Sequence, residues 1–90
     1  MKPATEAGRI NGMGNGLYQR WFEAIASYRE ATSPKWRQFM KRDLRELQLQ
    51  ATELLSNPHT NGITATKLKV IINRPIDEWL VMGNRNATYL

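Results

Sequence analysis

The chain reads as a mainly α domain: a small bundle of three to four helices built on a helical hairpin of about residues 17–31 and 34–56. Three observations carry that reading. Apolar residues recur at steps of three and four across both segments, which is the signature of one face of a 3.6-residue helix. Thr32-Ser33-Pro34 separates the segments with a helix stop and a helix start only residues apart. The hydrophobic fraction of 41% and the charged fraction of 23% are ordinary for a folded chain. Ninety residues leave room for one domain with one modest core.

Residues 1–16 are expected to form a flexible leader, with a single helical domain over 17–90. The leader holds Gly8, Gly12, Gly14 and Gly16, each of which raises the entropy cost of ordering. The run Gly12-Met13-Gly14-Asn15-Gly16 has no preceding strand and no following Gly-Lys-Ser/Thr, so it does not make a phosphate loop. The first helix is predicted from Leu17 to Ala31, capped by Asn15 or Gly16, with Leu17, Trp21, Ala24, Ile25 and Tyr28 on its inner face. Tyr18 and Phe22 widen that face. Ser33 is a good N-cap, and Pro34 suits the first helical position, where its missing N–H costs nothing. The second helix then runs to Leu55 or Ser56, and Asn57-Pro58 ends it. Its seam is Trp36, Met40, Leu44, Leu47, Ala51 and Leu54. The steps alternate four and three from Met40 onward, so a homodimer through this seam is an alternative to intramolecular packing.

Residues 57–62 form a loop around the Asn61-Gly62 turn pair. The C-terminal third is expected to hold short helices or a small β-hairpin. Residues 64–72 fit a helix capped by Thr64 with Leu68, Ile71 and Ile72 inward, and also a strand, which β-branched Val70-Ile71-Ile72 favours. Pro75 opens a short helix to Met82, with Asp77 and Glu78 at its positive end and Gly83 just past its C-terminus. A rival parse pairs residues 79–82 with 87–90 as two strands.

Composition narrows the chemistry. Without cysteine there is no disulfide, no thiolate catalysis and no Cys-based metal site. A reducing, cytoplasmic setting is expected. No apolar run approaches the ~18–20 residues of a membrane span, and the first residues lack the apolar stretch of a signal peptide. The single histidine, His59, has no second ligand type near it, so no metal and no cofactor are expected. No nucleophile has an activating neighbour in a known signature, and adjacent Asp77 and Glu78 point apart on a helix. The chain is expected to be a binding protein rather than an enzyme.

The net charge of +5 and pI near 10.0 favour a polyanionic partner. At 100° per residue, Arg37, Lys41 and Arg45 fall on one flank of the second helix, extended by Gln48 and Thr52, with no acid among them. Lys35, Arg42, Glu46 and Glu53 share the other flank, where they can pair at helical spacing. Like charges at steps of four cost a helix a few tenths of a kcal/mol, and cations near its N-terminus oppose the macrodipole. That conflict marks Arg37, Lys41 and Arg45 as candidate phosphate contacts, with Lys67, Lys69 and Arg74 as reinforcement. Trp36 lies between Lys35 and Arg37, an interleaving that suits single-stranded nucleic acid, but it also heads the apolar seam. A helix-turn-helix over 64–82 is disfavoured, because Asp77 and Glu78 would meet the phosphates. Leu49 projects onto the polar face and Asp43 close to the seam, where it would need a cation or donor. Leu49 and Trp36 are the candidates for a protein contact. The expected function is a small basic accessory protein that binds DNA or RNA through a cationic helix face. The alternative is an adaptor or inhibitor for a larger, acidic protein, of the kind phages and plasmids encode.

Overall fold

A computed structural model describes residues 5–85, with side chains described to Val81. Among these residues the chain forms four helices: α1 Glu6–Glu30, α2 Pro34–Leu55, α3 Gly62–Ile72 and α4 Ile76–Arg85. The hairpin of α1 and α2 is present, and α3 packs against both of its arms. The strand and β-hairpin alternatives do not hold: 64–72 and 76–85 are helical, and the second arm of that hairpin lies outside the described residues. Within α3, Leu68 and Ile71 are fully buried, so tertiary burial outweighs the β-preference of its branched run.

The leader expectation is corrected over residues 6–16, which are the first half of α1. Thr5 caps that helix, its hydroxyl accepting from the Gly8 N–H at 2.9 Å. Arg9 pairs with Glu6 one turn away (2.6 Å), and its guanidinium holds the Glu6 carboxyl below the usual carboxylate range. Asn11 then ties the helix to the 57–61 loop. Its Nδ2 donates to the carbonyls of Ala7 and His59 (2.7 and 2.9 Å), and its Oδ1 accepts from the Asn61 N–H (2.9 Å). Ile10, Gly14 and Leu17 are buried. Four glycines cost α1 about 3–4 kcal/mol relative to alanine. Burial of Ile10 and Leu17, at about 1.5–3 kcal/mol each, offsets this.

The sequence places the start of α2 correctly: the Ser33 hydroxyl accepts from the Trp36 N–H at 3.4 Å, and Pro34 is the first helical residue. The cap of α3 is Asn61 rather than Thr64; the Asn61 side chain accepts from the Thr64 N–H at 2.8 Å. Thr64 is buried against α1 instead, at the point where Gly14 lets the two helices approach. Gly83 does not stop α4, which continues helical to Arg85. The homodimer seam is consumed within the chain, since Leu44, Ala51 and Leu54 all join the core.

That core centres on Trp21, which has no exposed surface. Trp79 of α4 meets it edge-to-face at 5.5 Å and donates its Nε1–H to the Ile71 carbonyl at 3.2 Å. Gln48 of α2 donates to the same carbonyl (3.1 Å) and to the Arg74 carbonyl (2.9 Å). These bonds satisfy acceptors at the end of α3 that have no intrahelical partner.

Three alanine substitutions separate the roles of the glycines. A Cβ at Gly12 or Gly16 meets open space, so Gly12→Ala and Gly16→Ala are each expected to stabilise by about 0.5–1 kcal/mol in urea denaturation. A Cβ at Gly14 would collide with Thr64 Cγ2, so Gly14→Ala is expected to destabilise by about 1–3 kcal/mol. Adding Thr64→Ser, which removes that methyl, should recover most of the loss. A purely additive double mutant would remove this close-approach explanation. Gln48→Ala removes one donor from each of the Ile71 and Arg74 carbonyls, leaving Ile71 to Trp79 alone, and a loss of about 1–2 kcal/mol is expected in the same assay.

Candidate functional site

The first turn and a half of α2 is not covered by the other described helices. Every residue from 32 to 39 is exposed, and the seam begins to be covered only at Met40. Trp36 is therefore not the head of the core: it is 55% exposed. One turn on, Phe39 is 51% exposed, and the two rings stack in parallel, 2° apart in tilt with centroids separated by 5.4 Å.

The expected cationic stripe divides in the structure. Arg37 is turned towards the hairpin corner, where its Nε donates to the Ala31 carbonyl (2.8 Å) and its guanidinium lies 5.7 Å from the centre of the Tyr28 ring. Lys41 pairs with Asp77 of α4 at 2.9 Å. Arg45 is exposed and makes no hydrogen bond or ion pair among the described residues. One member of the stripe thus braces the hairpin, one bridges to α4, and one stays open.

Two cations assigned to the neutralised flank stay open as well. Lys35 and Arg42 are exposed and form no ion pair with Glu46, Glu53 or any other described carboxylate. With Lys41, Arg45, Gln38 and Phe39 they line an open hollow of about 520 Å³ on the outer face of α2. Four of the six lining residues are cations and none is an acid, so the hollow presents a concentrated positive field. Lys35, Gln38, Phe39 and Arg42 were not among the expected site residues. The helical projection put Lys35 and Arg42 on the flank shared with Glu46 and Glu53, where the expected pairing set them aside, and it assigned no role to Gln38 or Phe39.

A second hollow adjoins the first at Arg45. It is lined by Arg45, Gln48, Leu49 and Thr52 of α2 and by Ile72, Asn73, Arg74 and Pro75 of the α3–α4 turn. The structure thereby brings Arg45, Leu49 and Arg74 together, and Leu49 is 60% exposed, as its projection implies. Arg74 faces Glu78 at 3.8 Å. Lys67 donates to Asn15 Oδ1 (2.9 Å) and lies 5.7 Å from the Tyr18 ring centre, so it ties α3 to α1. Lys69 is exposed on α3, away from both hollows. Asp43 is exposed rather than held near the seam.

Among the described residues, no three His, Asp or Glu side chains converge as metal ligands, and no helix is long and apolar enough to cross a membrane. No protein family, curated protein or solved structure matches this chain.

The two engaged cations are expected to respond differently to mutation. The Lys41–Asp77 bridge is largely exposed on the Asp77 side, so Asp77→Asn should change stability by no more than about 1 kcal/mol. Arg37→Ala removes both the bond to Ala31 and the contact with Tyr28, and should cost roughly 1–2 kcal/mol. Urea denaturation of the two variants side by side checks the ranking, and an equal cost would show that Arg37 does not brace the hairpin.

Proposed function

We propose that this chain is a nucleic-acid-binding accessory protein whose contact surface is the outer face of the N-terminal half of α2. The observation that carries the reading is the hollow lined by Lys35, Lys41, Arg42 and Arg45 without a carboxylate. Cations that form internal ion pairs add little to a polyanion's attraction. Lys35, Arg42 and Arg45 form none among the described residues, so their field is available to phosphates. Relative to the sequence expectation, Arg45 stays in the site, Lys35 and Arg42 join it, Lys41 lines it from its bridge, and Arg37 leaves it. The role is binding rather than catalysis, since the only imidazole, His59, sits exposed in the 57–61 loop, far along the chain from the hollow.

A second reading, an adaptor or inhibitor that docks on an acidic surface of a larger protein, is favoured by one observation. Leu49 stands exposed between Arg45 and Arg74, an apolar contact flanked by cations.

Fluorescence-anisotropy titration of labelled oligonucleotides at several salt concentrations tests the first reading. Three phosphate contacts predict a log–log slope of about −2.7 on duplex and about −2.1 on a single strand. The triple variant Lys35→Gln/Arg42→Gln/Arg45→Gln is expected to lose most of that slope, whereas Lys69→Gln should change it little. An unchanged slope in the triple variant would reject the site. No binding at low salt, where attraction is strongest, would reject nucleic acid as the partner and leave the adaptor reading.

A further inference from the structure

We infer that the α2 hollow takes unpaired nucleic acid, with a base stacked on Phe39 and the adjoining phosphates held by Lys35, Arg42 and Arg45. This rests on the reading above that the face binds nucleic acid and names the form it takes. Phe39 lines the hollow and is half exposed. Trp36 stacks parallel to it at 5.4 Å. Core packing does not account for either ring, because no residue from 32 to 39 is buried. Two parallel rings are the start of a stack, and a planar base laid on the open face of Phe39 continues it.

Charge decides which planar partner fits. An aromatic pair alone would also suit an apolar protein surface, but here its Phe39 ring lines a hollow with four cations and no carboxylate. The occupant that supplies flat rings and regularly spaced negative charge together is a nucleic-acid strand. A hollow of about 520 Å³ lies within the range of about 300–1,000 Å³ typical of ligand sites, so it has room for a nucleotide. In a duplex, the faces of the bases are already covered by their neighbours. A duplex can then reach Phe39 only by extruding a base, and otherwise binds this surface through phosphates alone. The arrangement therefore discriminates by strandedness, since every base has a π-face and the unpaired strand exposes it.

The test compares a fluorescein-labelled oligothymidylate with a duplex carrying the same number of phosphates, using the full chain and anisotropy at two or more salt concentrations. Tighter binding of the single strand is expected. Phe39→Ala should weaken it about five- to a hundred-fold, the effect of losing one stacked base, with the salt slope retained because the phosphate contacts remain. Phe39→Tyr keeps the ring and should bind like the parent, which separates a lost stack from a misfolded variant. Single-strand binding by Phe39→Ala equal to that of the parent, or parental affinity for duplex equal to that for single strand, would overturn the inference while leaving a phosphate-binding face in place. Absence of binding to either oligonucleotide at low salt would overturn both readings at once.

Discussion

The carbonyl of Ile71 is the point on which the bundle closes. It receives the indole N–H of Trp79 from α4 and the amide of Gln48 from α2, so one acceptor at the end of α3 is shared by both of the other elements that meet there. The same Trp79 ring presses edge-on against Trp21, the largest fully buried side chain, and against Phe22 at 5.9 Å. Short helices such as α3 and α4, of 11 and 10 residues, are marginal in isolation. Their stability comes from this junction. The arrangement has a cost: the Trp21 Nε1–H is buried without a hydrogen-bond partner among the described residues, a loss of about 1–3 kcal/mol. Filling the centre with a large ring contributes more than that, at about 3–5 kcal/mol for a buried Trp relative to Ala.

Local chemistry made some elements legible and hid others. Ser33-Pro34 states the start of α2 outright, and Asn57-Pro58 its end, because capping and the loss of a backbone donor act within a few residues. The first half of α1 was hidden by its glycines. The stripe of Leu17, Trp21, Ile25 and Tyr28 extends backwards through Gly14 to Ile10 at helical spacing, and Thr5 stands ready as a cap. Propensity argued against that extension, and a contact decided it: Gly14 is small because Thr64 lies against it, fifty residues further along the chain. A glycine that costs helix propensity and one that permits helix packing look identical in a sequence. Similarly, Val70-Ile71-Ile72 carries a strand's preference, yet burial of Leu68 and Ile71 on one side is satisfied only by a helical turn.

The cationic face of α2 was legible as a helix and not as a surface. Projection divided the cations of α2 between two flanks, whereas Lys35, Lys41, Arg42 and Arg45 line one hollow, and it could not say which would be engaged. Lys41 meets Asp77 and Arg37 meets the Ala31 carbonyl through the way the chain folds back, and neither contact follows from spacing within α2. Conversely, Arg42 and Glu46 stand at the spacing of an ion pair and do not form one. Exposed pairs of this kind gain only a few tenths of a kcal/mol and lose side-chain entropy, so spacing alone is a poor guide to them. Trp36 shows the same limit for apolar residues: it continues the seam geometrically, but nothing described packs over that end of the helix.

Closure at one end and exposure at the other are linked. Leu44, Ala51 and Leu54 of α2 join the core and Gln48 ties it to the α3–α4 turn, whereas its exposed first residues are anchored by the cap and by Arg37, with the Lys41–Asp77 bridge to α4 a turn further on. That end has no acid in its first turn, and it carries Lys35 where the macrodipole is already positive. In an isolated helix this arrangement is unfavourable. Here the deficit of a few tenths of a kcal/mol per charge is small beside the burial achieved two turns later, so the fold tolerates it. The dipole and the open cations then add with the same sign on one surface. The burial further along the same helix is what allows that repulsion to persist, and the nucleic-acid strand proposed for this face would relieve it.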